Sequence, residues 1–196
     1  MGRDLLPCCI RQHYDVREFR HACAILKIDF PQEWQDLIEI LSHFTLPKSM
    51  ILTPGGNKSP ISQRINGEFE VRGWHPKKFD VRFVVDGKER KSPTHKVDYF
   101  KNRIAVETEW NNKDPFYDRD LNNFRLLFEL DIISVGIIIT RATELQKIFD
   151  ELGKGKSYGP STTHMEKLIP KIEGGGAGGC PLLIFGIRKS LYDPNA

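Results

Sequence analysis

The sequence predicts an α/β fold, a central mixed β-sheet flanked by helices, with residues 1–196 forming a single domain. Three observations lead there. The hydrophobic period changes from helical to alternating near Phe79. Two continuous apolar runs, ISVGIII (133–139) and PLLIFGI (181–187), have the character of buried central strands. Helical segments lie before, between and after the strand runs, the order of a layered sheet rather than of a bundle or an all-β sandwich. A chain of 196 residues is long enough for one sizeable core.

Taken in order, residues 7–13 (PCCIRQH) read as a short strand and Val16 to Leu26 as a helix, with Phe19, Ala22, Cys23 and Leu26 at helical spacing. A second helix is expected from Pro31 to Phe44. Proline suits the first turn, and Trp34, Leu37, Ile38 and Leu41 repeat at i, i+3, i+4 and i+7. Residues 53–60 (TPGGNKSP) are a loop by composition, and the helical character of Ile61–Trp74 is weakened by Gly67. FDVRFVV then meets Asp86-Gly87, a hairpin turn signal, with a return strand to Arg90. HKVDYF (95–100) and RIAVETEW (103–110) are two more strands joined at Lys101-Asn102. Helices follow at Asp118–Leu130, at Ala142–Leu152 with Gly153 as cap, and at about Thr162–Ile172. The glycine-rich 173–179 (EGGGAGG) is a loop before the last strand. No internal repeat is present.

The formal charge of +3 permits a phosphate-binding surface without arguing for one. Cys8, Cys9, Cys23 and Cys180 have no zinc-knuckle spacing and read as free thiols. The six histidines form no metal pattern. The apolar run at the start is too short for a signal peptide, and no segment has the ~18 apolar residues of a membrane span. The expectation is a cytoplasmic protein.

On the strand 103–110, Ala105, Glu107 and Glu109 share one face, so two carboxylates stand about 7 Å apart at the backbone. Asp98, on the preceding strand, returns beside Glu107 across the short turn. Three crowded acids raise one another's pKa unless a cation neutralises them. A hard divalent ion such as Mg²⁺ takes one or two carboxylates, waters and phosphate oxygens, and supports phosphodiester hydrolysis. An E-x-E on a strand is also a common solvated face, and these residues alone do not decide between the two.

The run VDYFKNRIAVETEW (97–110) resembles the active-site hairpin of the PD-(D/E)xK nuclease superfamily, in the branch of the type II restriction endonucleases BamHI, BglII and BstYI. Asp98, Glu107 nine residues later and Glu109 two further on keep that spacing. Downstream, a helix, the strand IISVGIII, the SYGP loop (157–160), a helix, a glycine-rich loop and PLLIFGI follow in similar order. The resemblance covers residues 95–188, roughly half the chain, and implies a restriction-endonuclease-like core. It implies Asp98 and Glu107 as Mg²⁺ ligands, the Thr108 carbonyl as a third, and Glu109 in the third catalytic position. Most of the superfamily has Lys there. A Glu acts instead as a general base or holds a second ion or water, and the ion count stays open. Glu68 and Glu70 are candidates for a further upstream acid.

The resemblance also implies groove reading just after the third catalytic residue, in WNNKDPF (110–116). Asn111, Asn112 and Lys113 have the side chains for base edges, although a polar loop before a helix looks the same. The loop 154–164 offers Lys156, Ser157, Tyr158, Thr162, Thr163 and His164 to phosphates or bases. The glycines of 173–179 suit either close approach to DNA or a plain connection. The implied function is sequence-specific, Mg²⁺-dependent cleavage of double-stranded DNA at a short palindrome, leaving 5′-phosphate ends. A homodimer and a cognate DNA methyltransferase are the expected partners, and sites with a GATC core are the first to test. Helix 118–130, with Leu121, Phe124, Leu127, Phe128 and Leu130, is a candidate dimer contact or a core helix. Two alternatives remain: a structure-specific or repair nuclease on this fold, and a DNA-binding protein with an inactive site.

Overall fold

Alternating side chains on buried strands build a sheet covered on both faces in the computed structural model, which describes residues 2–54, 58–92 and 94–196. The N-terminal part contains α1 (Cys8–His13), β1 (Tyr14–Phe19), α2 (Ala22–Asp29), α3 (Pro31–His43), β2 (Leu46–Pro47), α4 (Lys48–Leu52) and α5 (Pro60–Glu70). A run of strands follows: β3 (His75–Lys77), β4 (Arg82–Val85), β5 (Lys88–Lys91), β6 (Val97–Lys101) and β7 (Ile104–Thr108). The chain continues through α6 (Pro115–Glu129), β8 (Val135–Arg141), α7 (Gln146–Glu151), α8 (Met165–Glu173), β9 (Leu182–Ile187) and β10 (Tyr192–Asp193).

Six strands form the sheet in the order β1-β9-β8-β7-β6-β3. β7, β8 and β9 run parallel, while β1 at one side and β6 and β3 at the other run antiparallel to their neighbours. Every position of β7, β8 and β9 is buried, as the continuous apolar runs predict for β8 and β9. Ile104, Val106, Ile137, Ile139 and Phe185 face one core with Leu26, Leu37, Ile61 and Phe149 from α2, α3, α5 and α7. Ala105, Ile138 and Ile184 face the other, under Leu121 and Phe124 of α6 and Leu168 of α8. Glu107 belongs by alternation to the α6 side.

The N-terminus corrects the sequence reading. Residues 8–13 are helical, and the strand is β1, whose Val16–Phe19 fall in the stretch expected to be a helix. Tyr14 and Val16 point inward while the backbone pairs with β9, so sheet pairing overrides the helical spacing. Arg20 and His21 then take left-handed conformations (φ 55° and 60°), and the helical period begins only after them, at α2. The stretch 61–74 resolves into α5, buried through Ile61, Ile65 and Phe69. Gly67 there meets no neighbouring atom, so it lowers helix propensity without disturbing packing. Of the expected loop 53–60, residues 55–57 lie outside the described residues.

α6 begins at Pro115, ahead of the expected start, with proline in its first turn. Leu121, Phe124 and Leu127 are core residues, which removes them from any dimer surface. The glycine-rich segment packs tightly on that helix. A Cβ at Gly178 (φ 56°) would stand 2.8 Å from Cγ of Arg125, and one at Gly176 3.1 Å from Leu121. Its glycines serve close packing between segments. All four cysteines are free thiols, and no helix among the described residues is long and apolar enough to cross a membrane.

Candidate active site

The β6–β7 hairpin turns through Asn102 and Arg103, both left-handed (φ 42° and 70°), as a two-residue turn matched to strand twist requires. Its register pairs Tyr99 with Val106, so the next position sets Asp98 opposite Glu107. The two acids are tied reciprocally to the hairpin backbone. The Asp98 N–H donates to Glu107 Oε2 (3.3 Å), and the Thr108 N–H donates to Asp98 Oδ2 (3.1 Å). Glu107 is 1% exposed, and its Oε1 has no hydrogen-bond partner.

Glu109 lies just past β7, where its N–H still donates to the Ile139 carbonyl (2.9 Å) and holds the extended course. Its carboxylate accepts from Asn112 Nδ2 (2.8 Å) and faces Arg119 Nη2 at 3.5 Å. A fourth acid, absent from the sequence reading, completes the group. Asp120 of α6 is fully buried, and its Oδ1 accepts from Arg119 Nε (2.8 Å) and Nη2 (2.7 Å). Arg119 also lies 4.4 Å from the Phe116 ring centre.

Crowding and burial shift Glu107, Glu109 and Asp120 as expected for acids without a cation. Burial first, then the charges of Asp120, Asp98 and Glu109, hold Glu107 well above the usual carboxylate range. Burial and the Asp120 carboxyl push Glu109 up to about 9. Burial also raises Asp120, against the opposing pull of Arg119. A buried unpartnered carboxylate oxygen beside further acids is what a hard divalent cation would satisfy, so the residues fit a Mg²⁺-type ion. The fit relies on two carboxylates and a main-chain oxygen. No group of three His, Cys, Asp or Glu side chains with metal-holding geometry occurs among the described residues.

The acids open into a cleft of about 560 Å³, lined by Asp98, Glu109, Asn112 and Arg119 and by Ser62 and Asn66 of α5. Lys58 and Ser157 also line it. The upstream helix thus offers Asn66 rather than the expected acids. Glu68 pairs with Arg72 (2.7 Å), and Glu70 is exposed outside the cleft lining. Ser59, Ser62 and Asn66 at helical spacing were the available signal, a polar stripe beside the apolar Ile61, Ile65 and Phe69.

The two expected DNA-reading segments come together. The Asn111 N–H donates to Thr163 Oγ1 (3.2 Å), the Thr163 N–H to the Asn112 carbonyl (2.9 Å), and Lys113 bridges Thr162 in antiparallel fashion. Behind them, buried Arg141 donates to the carbonyls of Thr163 (3.0 Å) and Tyr158 (3.1 Å) and to Thr162 Oγ1 (2.9 Å). Asn112, Lys113, Lys156 and Ser157 are exposed. Tyr158, Thr162, Thr163 and His164 are buried, which corrects their expected place on the reading surface. The Tyr158 ring stacks on Phe149 (4.1 Å between centres), and His164 Nδ1 lies 3.3 Å from Thr143 Oγ1. A short loop rich in hydroxyls reads as a contact surface until a buried arginine is seen to require those groups as acceptors.

A mixed sheet with helices on both faces, carrying paired acids on a hairpin at a cleft, defines a restriction-endonuclease-like protein. The family model described as Restriction endonuclease BglII/BglIII matches residues 14–187, and the chain belongs to that family. It is therefore a restriction endonuclease, a DNA-binding nuclease of the hydrolase class. Comparison with curated protein sequences finds no match.

Proposed function

We propose that the protein cuts both strands of DNA at a short palindromic sequence by Mg²⁺-dependent hydrolysis, leaving 5′-phosphate ends. The observation that carries this is the Asp98–Glu107 pair, reciprocally tied across the hairpin, with an unpartnered Glu107 oxygen. Asp98, Glu107 and the Thr108 carbonyl are the ligands. When bound, the ion lowers the pKa of water and stabilises charge on the phosphorus centre. Glu109 holds its proton at neutral pH while no cation is near, so it serves the reaction only as a carboxylate freed by one. Asn112 and Arg119 then keep that carboxylate in place.

Asn111, Asn112 and Lys113 read the groove, and Lys156 and Ser157 take phosphates. The Asn112 amide donates to the Glu109 carboxylate (2.8 Å), which supports reading and cutting by adjoining segments. Tyr158, Thr162, Thr163 and His164 support the surface from beneath. The protein works as a homodimer, since a two-fold pair of sites cuts a palindrome symmetrically. A cognate methyltransferase in the same cytoplasm would protect the host's own sites.

Digestion of long unmethylated phage DNA with Mg²⁺, beside an EDTA control, is expected to yield sharp fragments whose ends give the site. A smear, or no cleavage with Mg²⁺ or Mn²⁺, would overturn the proposal. Asp98→Ala and Glu107→Ala are each expected to abolish cutting while leaving DNA binding in Ca²⁺ intact. Normal cutting by either variant sinks the site assignment.

A further inference from the structure

We propose that Asp120 is a ligand of the metal centre, and that with Glu109 it holds a second divalent cation beside the one assigned to Asp98 and Glu107. The inference rests on the metal-dependent reading above.

Charge balance is the first argument. Asp98, Glu107, Glu109 and Asp120 carry four negative charges when ionised, and Arg119 is the one basic side chain paired with any of them among the described residues. A substrate phosphate brings a fifth. One divalent ion with Arg119 leaves two negative charges uncompensated in a largely buried site, a costly arrangement. Two divalent ions with Arg119 balance the five.

Position is the second. Asp120 lies on the buried face of α6 with Tyr117, Leu121, Phe124 and Leu127, where a carboxylate is costly unless a cation or hydrogen bonds satisfy both its oxygens. Arg119 Nη2 lies 2.7 Å from Asp120 Oδ1 and 3.5 Å from Glu109 Oε1, so the two carboxyls flank one nitrogen. Arg119 contacts only Oδ1, and the buried Oδ2 has no partner. Arg119 therefore does not satisfy the group it pairs with. Two carboxylate oxygens from different elements, completed by waters and a phosphate oxygen, are a donor set suited to a small hard cation.

The test counts Mn²⁺ ions bound per chain by electron paramagnetic resonance, on the full-length protein at neutral pH. The expected result is two ions for the wild type and one for Asp120→Asn, with the second ion bound at least tenfold more weakly. The asparagine is isosteric and keeps an oxygen for Arg119. Glu109→Gln is expected to lose the same ion, so the proposal stays testable if one variant folds poorly. Asp98→Asn should lose the other ion. Unchanged Mn²⁺ stoichiometry and affinity in both Asp120→Asn and Glu109→Gln would overturn the inference and leave the Asp98–Glu107 site standing. The same holds if the wild type binds one ion that only Asp98→Asn removes, for then a shared proton neutralises the Glu109–Asp120 pair. If neither Asp98→Asn nor Glu107→Gln alters Mn²⁺ binding, the metal-dependent reading itself fails.

Discussion

Glu109 shows how one side chain's surroundings become a property of the whole protein. Its carboxyl titrates at about 9 in the folded chain, because it is buried beside Asp120, and at about 4.3 once unfolded. Between those values the folded state holds a proton that the unfolded state has released, so the contribution to stability falls as pH rises. It is fully present below the unfolded pKa and lost on approach to 9. In EDTA, melting curves at pH 5, 7 and 9 are expected to show the wild type losing stability relative to Glu109→Gln as pH rises. A difference that stays flat or changes sign would contradict the account. Divalent ions require the ionised carboxylates, so Ca²⁺ should recover the loss most strongly at pH 9. Asn112 acts on the same carboxylate from an exposed position. Asn112→Ala is expected to slow cleavage roughly 10- to 100-fold, the usual effect of removing an outer partner of a metal-site group. An unchanged rate would free Asn112 from that role.

At the scale of elements, α6 and β8 set the position of Asp120. Gly136 of β8 is the close-contact point: a Cβ there would lie 2.6 Å from Phe124 and 2.9 Å from Leu182. Gly136→Ala is expected to destabilise by about 1–3 kcal/mol through overpacking, measured by urea unfolding. A neutral effect would mean that α6 shifts freely. Arg141, at the end of β8, ties down the 158–163 loop through two carbonyls and a hydroxyl. Burial lowers its pKa to about 10, still above neutrality, so it stays charged. Arg141→Met strands those buried acceptors and should cost on the order of 3 kcal/mol. A loss under about 1 kcal/mol would show that the loop satisfies them otherwise.

For the whole molecule, the arrangement explains why a mild net charge of +3 is compatible with DNA binding. Four of the 26 Asp and Glu residues, Asp98, Glu107, Glu109 and Asp120, gather at the candidate site, whereas Lys113 and Lys156 are exposed. Leu121, Phe124 and Leu127 of α6 are used up in the core, so they are not available to a dimer contact. Sedimentation of the protein with a duplex carrying its site, in Ca²⁺, is expected to give two chains per duplex. One chain per duplex would remove the symmetric reading of a palindrome.

The sequence by itself determined the strands from β4 to β9 and the Asp98–Glu107 pairing. Strand alternation, a two-residue turn and continuous apolar runs are local signals that tertiary context reinforced. The same signals misassigned residues 8–19, because β1 depends on a partner, β9, more than 160 residues away in the chain. Only the tertiary structure decided the rest of the site. Nothing in the spacing of Asp120 and Arg119 marks them until α6 is laid on the sheet, burying the first and setting the second beside Glu109. Asn66 reaches the cleft only because α5 packs beside the hairpin, and Thr162 and Thr163 are withdrawn from the surface by Arg141. Spacing along one strand fixes neighbours within a few residues. Which distant groups share their charge, and which polar groups are already satisfied, depends on the packing of separate elements.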